Sequence, residues 1–243
     1  MKAMIFAAGR GERMRPLTDA CPKPLLKVRG RPLIVWHVLS MVRAGITEIV
    51  INHAHLGHMI EAALGDGSQF GAQIQYSPEA TALETAGAVA QARHLLGEAP
   101  FLAISGDIYC PYFPFGALEG VLEDADVWGN PYPADKRDVA WIYLVKNPPY
   151  HPEGDFALNS FSIANSGPEL FTFANIGVYR MEMFDGILAG EKAKLGPLIR
   201  AYAERGQVGG DFFRGHWSNV GTVDDLAQLN APFSPPVAPG LHS

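Results

Sequence analysis

Short apolar runs recur through the first half of the chain, each closed by glycine or another turn residue. Lys2–Ala7 ends in Ala8-Gly9, Glu48–Asn52 is a second apolar run, Gln73–Ser77 alternates polar and apolar, and Phe101–Ser105 ends in Gly106-Asp107. Runs of this length and pattern predict β-strands. Between them lie segments with helical spacing. Pro32–Arg43 carries Leu33, Ile34, Trp36, Val38, Leu39, Met41 and Val42, dense enough for a mostly buried helix, with Gly45 as its stop. Leu56–Leu64 and the Ala-rich Thr85–Leu96 predict two further helices. This alternation predicts an α/β fold: a Rossmann-like, mostly parallel sheet flanked by helices, in a single domain over residues 1–230. Ligands of such sheets bind beyond the carboxyl ends of the strands, where the segments after Ala8 and Ser105 fall.

The second half is looser. Pro111–Pro114 reads as a loop, Gly116–Leu122 as a short helix and Trp128–Arg137 as a polar excursion from the sheet. Val139–Val145, Phe171–Tyr179 and Phe212–Trp217 predict strands, and Leu195–Arg205 a helix. Proline-rich Ala231–Ser243 reads as a disordered tail.

Composition changes this picture in one place. The 48% apolar and 18% charged content suits a globular core, and no apolar run is long enough to span a bilayer. The N-terminus enters a strand-like run without a signal-peptide pattern, and Cys21 and Cys110 read as reduced thiols; a cytoplasmic location is the expectation. A net charge of −6 argues against nucleic acid as a partner. Yet Arg10, Arg13, Arg15, Lys23, Lys27, Arg29 and Arg31 lie close together, opposed only by Glu12 and Asp19. A basic cluster in an acidic protein points to a small anionic ligand, with a solvated face as the alternative.

The cluster sits in a glycine-containing loop. In Ala7-Ala8-Gly9-Arg10-Gly11-Glu12-Arg13-Met14-Arg15-Pro16-Leu17-Thr18, glycines allow phosphate oxygens to approach backbone amides, and Arg15 can hold a triphosphate. Taken alone, Gly9-x-Gly11 reads equally as a tight strand-to-helix turn; it matches neither the dinucleotide fingerprint nor the P-loop. Ser105-Gly106-Asp107 likewise offers either a plain turn or a strand-end carboxylate suited to Mg²⁺.

The loop, followed by Pro22-Lys23-Pro24-Leu25, resembles the signature of the sugar-1-phosphate nucleotidyltransferases. The resemblance implies that Gly9, Gly11, Glu12 and Arg13 lie on the β and γ phosphates of a nucleoside triphosphate. It implies that Arg15 supports the departing pyrophosphate and Lys23 touches phosphate at the reacting centre. Asp107 would hold Mg²⁺, the implied cofactor. A second ligand would come from Trp217-Ser218-Asn219-Val220-Gly221-Thr222, where Asn219 stands in place of the family's aspartate and adds an oxygen without a charge. Ser77-Pro78-Glu79 and Leu83-Glu84-Thr85-Ala86-Gly87 resemble the base-binding loop. Glu79 would accept a base hydrogen bond, Gly87 would allow close approach, and Thr85 would cap its helix or touch ligand. Ser105, Asp155 and Asn175 fall where the family holds its sugar phosphate. Val50-Ile51-Asn52-His53-Ala54, Leu83-Glu84-Thr85, Gly154-Asp155-Phe156 and Arg214-Gly215-His216-Trp217 look closest to the branch that transfers uridylyl from UTP to N-acetylmuramate α-1-phosphate in cell-wall recycling. A mannose- or heptose-phosphate guanylyltransferase and a non-catalytic nucleotide-sugar sensor are the alternatives. The partners expected are therefore UTP and a sugar 1-phosphate, for a monomer or small homo-oligomer. His53, His55 and His58 invite a zinc reading against ordinary loop histidines, and Cys21 reads as a packing residue.

Overall fold

A computed structural model describes residues 1–118, 120–122 and 137–232. Trp128–Lys136 of the polar excursion and most of the proline-rich tail lie outside the described residues. Strand β1 (Lys2–Phe6) opens the chain, and β2 (Lys27–Val28) with β3 (Arg31–Pro32) makes a small hairpin. The parallel core continues with β4 (Glu48–His53), β5 (Gln73–Pro78) and β6 (Phe101–Ser105), as the apolar runs predict. Then follow β7 (Ile108–Tyr109), β8 (Ala140–Val145), β9 (Ala157–Asn159), β10 (Ser162–Ala164), β11 (Thr172–Tyr179), β12 (Val208–Phe212) and β13 (Ser218–Asn219). The helices are α1 (Leu17–Ala20), α2 (Leu33–Arg43), α3 (Gly57–Leu64), α4 (Glu84–Leu96), α5 (Leu195–Ala203) and α6 (Val223–Asn230).

One nine-stranded sheet runs β5-β4-β1-β6-β11-β8-β12-β10-β9. Its first half is parallel, and antiparallel pairs begin where β11 joins β6. Both faces are covered. Ile34, Val38 and Met41 of α2 with Ile60 and Leu64 of α3 bury one face. Val89, Ala92 and Leu96 of α4 with Leu195 and Ile199 of α5 bury the other. That two-sided covering explains why β1 and β6 are apolar without alternation. The predicted stop of α2 holds: Gly45 takes φ 83°, and the Gly45 and Ile46 N–H groups donate to Val42 and Met41 carbonyls.

Register sets the site. Phe6 pairs with Asn52 on one side and Ser105 on the other, so these residues stand abreast at the carboxyl edge. Asn175 reaches that edge from the opposite direction, immediately before the Ile176–Ile104 pair, at an irregularity of β11 where its φ is 56°.

Three readings of the second half change. The expected strand Phe212–Trp217 lies earlier, at Val208–Phe212, and only Phe212 belongs to both. Its glycines are packing requirements: a Cβ on Gly209 would lie 2.5 Å from Trp141 Cε3, and one on Gly210 2.5 Å from the Ile142 carbonyl. The short helix expected at Gly116–Leu122 is a 3-10 turn over Phe115–Leu118. Helix α6, absent from the sequence reading, starts at a capping box. Thr222 accepts from the Asp225 N–H while the Asp225 carboxylate accepts from the Thr222 N–H.

Candidate active site

The loop leaving β1 is anchored at both ends. At its start the Ala7 N–H donates to buried Asn52 Oδ1 at 3.0 Å. Further on, Thr18 Oγ1 donates to the Gly11 carbonyl at 2.8 Å. Gly11 takes φ 70°, and a Cβ there would come 2.9 Å from Thr18 Cγ2, so glycine is required on both counts. A Cβ on Gly9 would meet nothing within 4 Å, which leaves its backbone open to a ligand. Beyond Gly11, a 3-10 turn over Glu12–Met14 buries Met14 as its apolar anchor.

Lys23 is not a surface lysine. Pro22 and Pro24 hold it in a tight turn, only 8% exposed, with Nζ 2.6 Å from Asp107 Oδ2. Asp107 reaches this point because Gly106 packs against the end of β1: its N–H donates to the Phe6 carbonyl at 2.8 Å, and a Cβ would strike that same oxygen. Two segments far apart in sequence then meet. β13 pairs with β7, setting Asn219 opposite Ile108, and the Val220 N–H donates to the Asp107 carbonyl at 2.9 Å. Asn219 Oδ1 is buried without a protein hydrogen-bond partner. An unpartnered buried oxygen beside a carboxylate is the donor set Mg²⁺ accepts, since that ion takes few protein oxygens and completes its shell with phosphate and water. The residues present therefore fit Mg²⁺. Among the described residues no group of three or more His, Cys, Asp or Glu side chains gathers to hold a metal. Of the histidines, His53 Nε2 lies 2.7 Å from Glu61 and His55 Nε2 is 3.0 Å from the Thr18 carbonyl. Burial raises the Cys21 thiol pKa, consistent with a packing role.

Three adjoining cavities run along this edge. The first, about 330 Å³, is lined by Ala7 to Arg10, Lys23, Asn52, Thr85, Ser105 and Asp107 among others. The second, about 120 Å³, shares Phe6, Thr85 and Ser105 with it and adds Asn175 and Gly196. The third, about 280 Å³, shares Asn175 and Gly196 and adds Tyr150, His151, Asp155, Arg200 and Asn219. Shared lining residues link them into one cleft, with the smallest cavity, lined by Ser105 and Asn175, as its neck. Asp155 is fixed there, its Oδ2 accepting the Phe173 N–H at 2.9 Å.

The fold thus brings Gly9, Lys23, Ser105, Asp107, Asp155, Asn175 and Asn219 to one cleft, and assigns other sequence-predicted residues elsewhere. Glu79 is 7% exposed and both its oxygens are taken, Oε1 by Asn52 Nδ2 at 2.7 Å and Oε2 by the Leu83 N–H at 2.8 Å. Burial raises its pKa, against the lowering effect of those hydrogen bonds. Each of its oxygens thus ties Glu79 to a neighbouring segment, Asn52 on β4 and the loop before α4. Gly87 lies inside α4, where a Cβ would come 2.2 Å from the Glu191 carbonyl, so its close approach is to protein. Thr85 caps nothing on its own helix; its Oγ1 accepts the Leu195 N–H at 3.0 Å while the residue lines the cleft. Arg15 points to Asp19 at 2.8 Å and, with Glu12, stays exposed outside the cavity lining. Arg13 lies against Gly221, where a Cβ would come 3.0 Å from its Nη2. Sequence reasoning missed Tyr150, His151 and Arg200, which no linear motif marks, and gave Asn52 no role beyond its place in the Val50–Ala54 segment. It included Arg10 only as part of a charge cluster, though Arg10 lines the first cavity.

The nucleotidyl transferase family model matches residues 2–129. The chain is 50% identical over 238 residues to the N-acetylmuramate alpha-1-phosphate uridylyltransferase of Neisseria meningitidis serogroup B, covering 95% of this chain and 97% of that one. It is 26% identical over 245 residues to a glucose-1-phosphate thymidylyltransferase of Streptomyces griseus, covering 95% of this chain and 65% of that protein. Among solved structures it superposes with TM-score 0.77 on a Bacillus anthracis protein described as a candidate glucose-1-phosphate thymidylyltransferase. That match has 22% identity and covers 97% of this chain and 98% of the other. The last likeness concerns the fold.

Proposed function

Because the chain belongs to the nucleotidyl transferase family, we propose that it transfers a uridylyl group from UTP to N-acetylmuramate α-1-phosphate, releasing pyrophosphate. The observation that carries this reading is the cleft. A glycine loop, Lys23 and Asp107 line its first cavity, Asn219 lines the polar third cavity, and the β13–β7 pairing brings the Asn219 and Asp107 segments together. The half-identity over nearly the whole chain to the Neisseria relative supports the choice of base and acceptor. We place the reaction in the cytoplasm, within the recycling of cell-wall amino sugars.

In this reading the triphosphate lies in the first cavity, with its phosphates over the open Gly9 backbone. The sugar phosphate enters through the third cavity, and the two meet near Ser105. The acceptor's phosphate oxygen attacks the α-phosphorus in line; a new P–O bond forms as the bond to the β-phosphate oxygen breaks. That oxygen is already anionic, so no general base is required. The chain supplies alignment and fixed charge. Lys23 is preset by its prolines and by Asp107 to neutralise phosphate charge, and Arg10 adds a second cation at the loop. Arg15 can assist the departing pyrophosphate only by exchanging its contact with Asp19 for phosphate. Bound Mg²⁺, held by Asp107 and Asn219, would supply positive charge to the phosphates. The free Asn219 oxygen supports a catalytic reading over the sensor alternative. Pyrophosphate release with UTP, Mg²⁺ and N-acetylmuramate α-1-phosphate tests the proposal. Asp107→Ala is expected to reduce turnover by about a hundredfold or more, in line with losing a preorganised electrostatic group. Near-normal turnover of that variant would remove Asp107 from the mechanism.

A further inference from the structure

Among the described residues lining the third cavity, Arg200 is the one Lys or Arg. Its position is set by three contacts. Nη1 donates to the Asp155 carbonyl at 3.0 Å, the guanidinium lies 4.6 Å from the centroid of the Phe156 ring, and Nη2 remains 3.9 Å from Asp155 Oδ1, too far for a hydrogen bond. One of five donors is thus used, and the guanidinium lies over the Phe156 ring at the cavity wall. Gly196, on the same helix, lines both the neck and this cavity. Arg200 follows four residues later, about 6 Å farther along the helix axis and away from the neck. The nearby Asp155 carboxylate is partly committed, with Oδ2 on the Phe173 N–H, while His151 Nε2 lies 3.2 Å from Oδ1 without a hydrogen bond to it.

The cleft therefore has cations at both ends: Lys23 and Arg10 at the triphosphate end, and Arg200 beyond the neck. A neutral sugar 1-phosphate would need only the first set. We infer that Arg200 is a specificity-determining residue that recognises a second anionic group, a carboxylate carried on the sugar ring away from its 1-phosphate. This inference rests on the uridylyltransferase reading and narrows its acceptor to acidic sugar 1-phosphates. The planar fork matches a carboxylate through paired charge-assisted bonds, while a neutral acceptor leaves those donors to water and to the more distant Asp155 carboxylate. His151, on the same wall, is placed to adjoin the same group.

The test compares two acceptors under identical UTP and Mg²⁺: N-acetylmuramate α-1-phosphate and its carboxamide, which keeps the shape and removes the charge. Both are followed by pyrophosphate release and, for affinity, by calorimetry. The wild-type protein is expected to favour the acid, and Arg200→Gln to narrow that preference by about tenfold or more, mainly through KM. Arg200→Lys should recover part of the preference, and UTP affinity should stay at the wild-type value. Parallel losses on acid and carboxamide would make Arg200 a tether for the Asp155 segment and overturn the assignment. Equal use of both acceptors by the wild-type protein would overturn it while leaving the transfer reaction standing. Turnover of neither would overturn the function proposed above and the acceptor assignment with it.

Discussion

Glu79 accepts hydrogen bonds from the Asn52 amide and the Leu83 N–H in a buried position, while Asn52 Oδ1 accepts from the Ala7 N–H. This relay ties the first residue of the phosphate loop to the loop before α4, so one carboxylate positions two binding segments without facing the cleft. Glu79→Ala would leave two buried donors without acceptors, costing about 2–4 kcal/mol. Glu79→Gln can still accept the Leu83 N–H and should cost less. Urea denaturation checks the order, and equal midpoints for the two variants would remove the relay from the account. Lys23 shows how neighbours can override residue type. A lysine between two prolines reads as surface chain, yet pairing with Asp107 across 84 positions makes its burial favourable.

Strand β12 lies beside β8 only because Gly209 and Gly210 carry no side chains. A Gly-Gly pair in a single sequence reads as a break, while here it permits close approach to Trp141, Ile142 and Ile163. Gly210→Ala would place a methyl 2.5 Å from the Ile142 carbonyl and 2.7 Å from Ile163 Cδ1. The expected destabilisation is about 1–3 kcal/mol from overpacking, read as a lowered denaturation midpoint. An unchanged midpoint would show that the two strands separate without cost. Helices α4 and α5 illustrate a related point. The Ala86 and Gly87 N–H groups donate to the Ala193 carbonyl, and the Leu195 N–H donates to Thr85. The start of each helix is therefore satisfied by the other's flank, which no local capping pattern reveals.

For the molecule as a whole, the site lies above a buried titratable group. His37 on α2 is 1% exposed, and burial lowers its pKa to about 4, offset only in part by a backbone hydrogen bond at Ile108 and the charge of Asp107. Above the unfolded pKa near 6.5 the ring is neutral in both states and contributes no pH dependence. As pH falls below that value the unfolded chain takes the proton first, so stability declines until the folded ring titrates near 4. The loss at pH 5 is about 2 kcal/mol. His37→Gln should reduce the difference in urea midpoint between pH 7 and pH 5; an undiminished difference would assign the acid sensitivity to other groups.

The sequence by itself determined the parallel half of the sheet, its covering helices and the two strand-end segments after Ala8 and Ser105. Each depends on local periodicity and on turn residues next to it. It also supplied Gly9, Lys23, Asp107 and Asn219, through short motifs whose spacing survives in one dimension. Tertiary structure alone decided that Glu79 bonds Asn52 and Leu83, that Gly87 packs against the Glu191 carbonyl, that Asn52 joins two loops, and that Arg200 lines the third cavity. Their surroundings come from segments remote in the chain, and a side chain's hydrogen bonds and open space depend on those neighbours rather than on residue type.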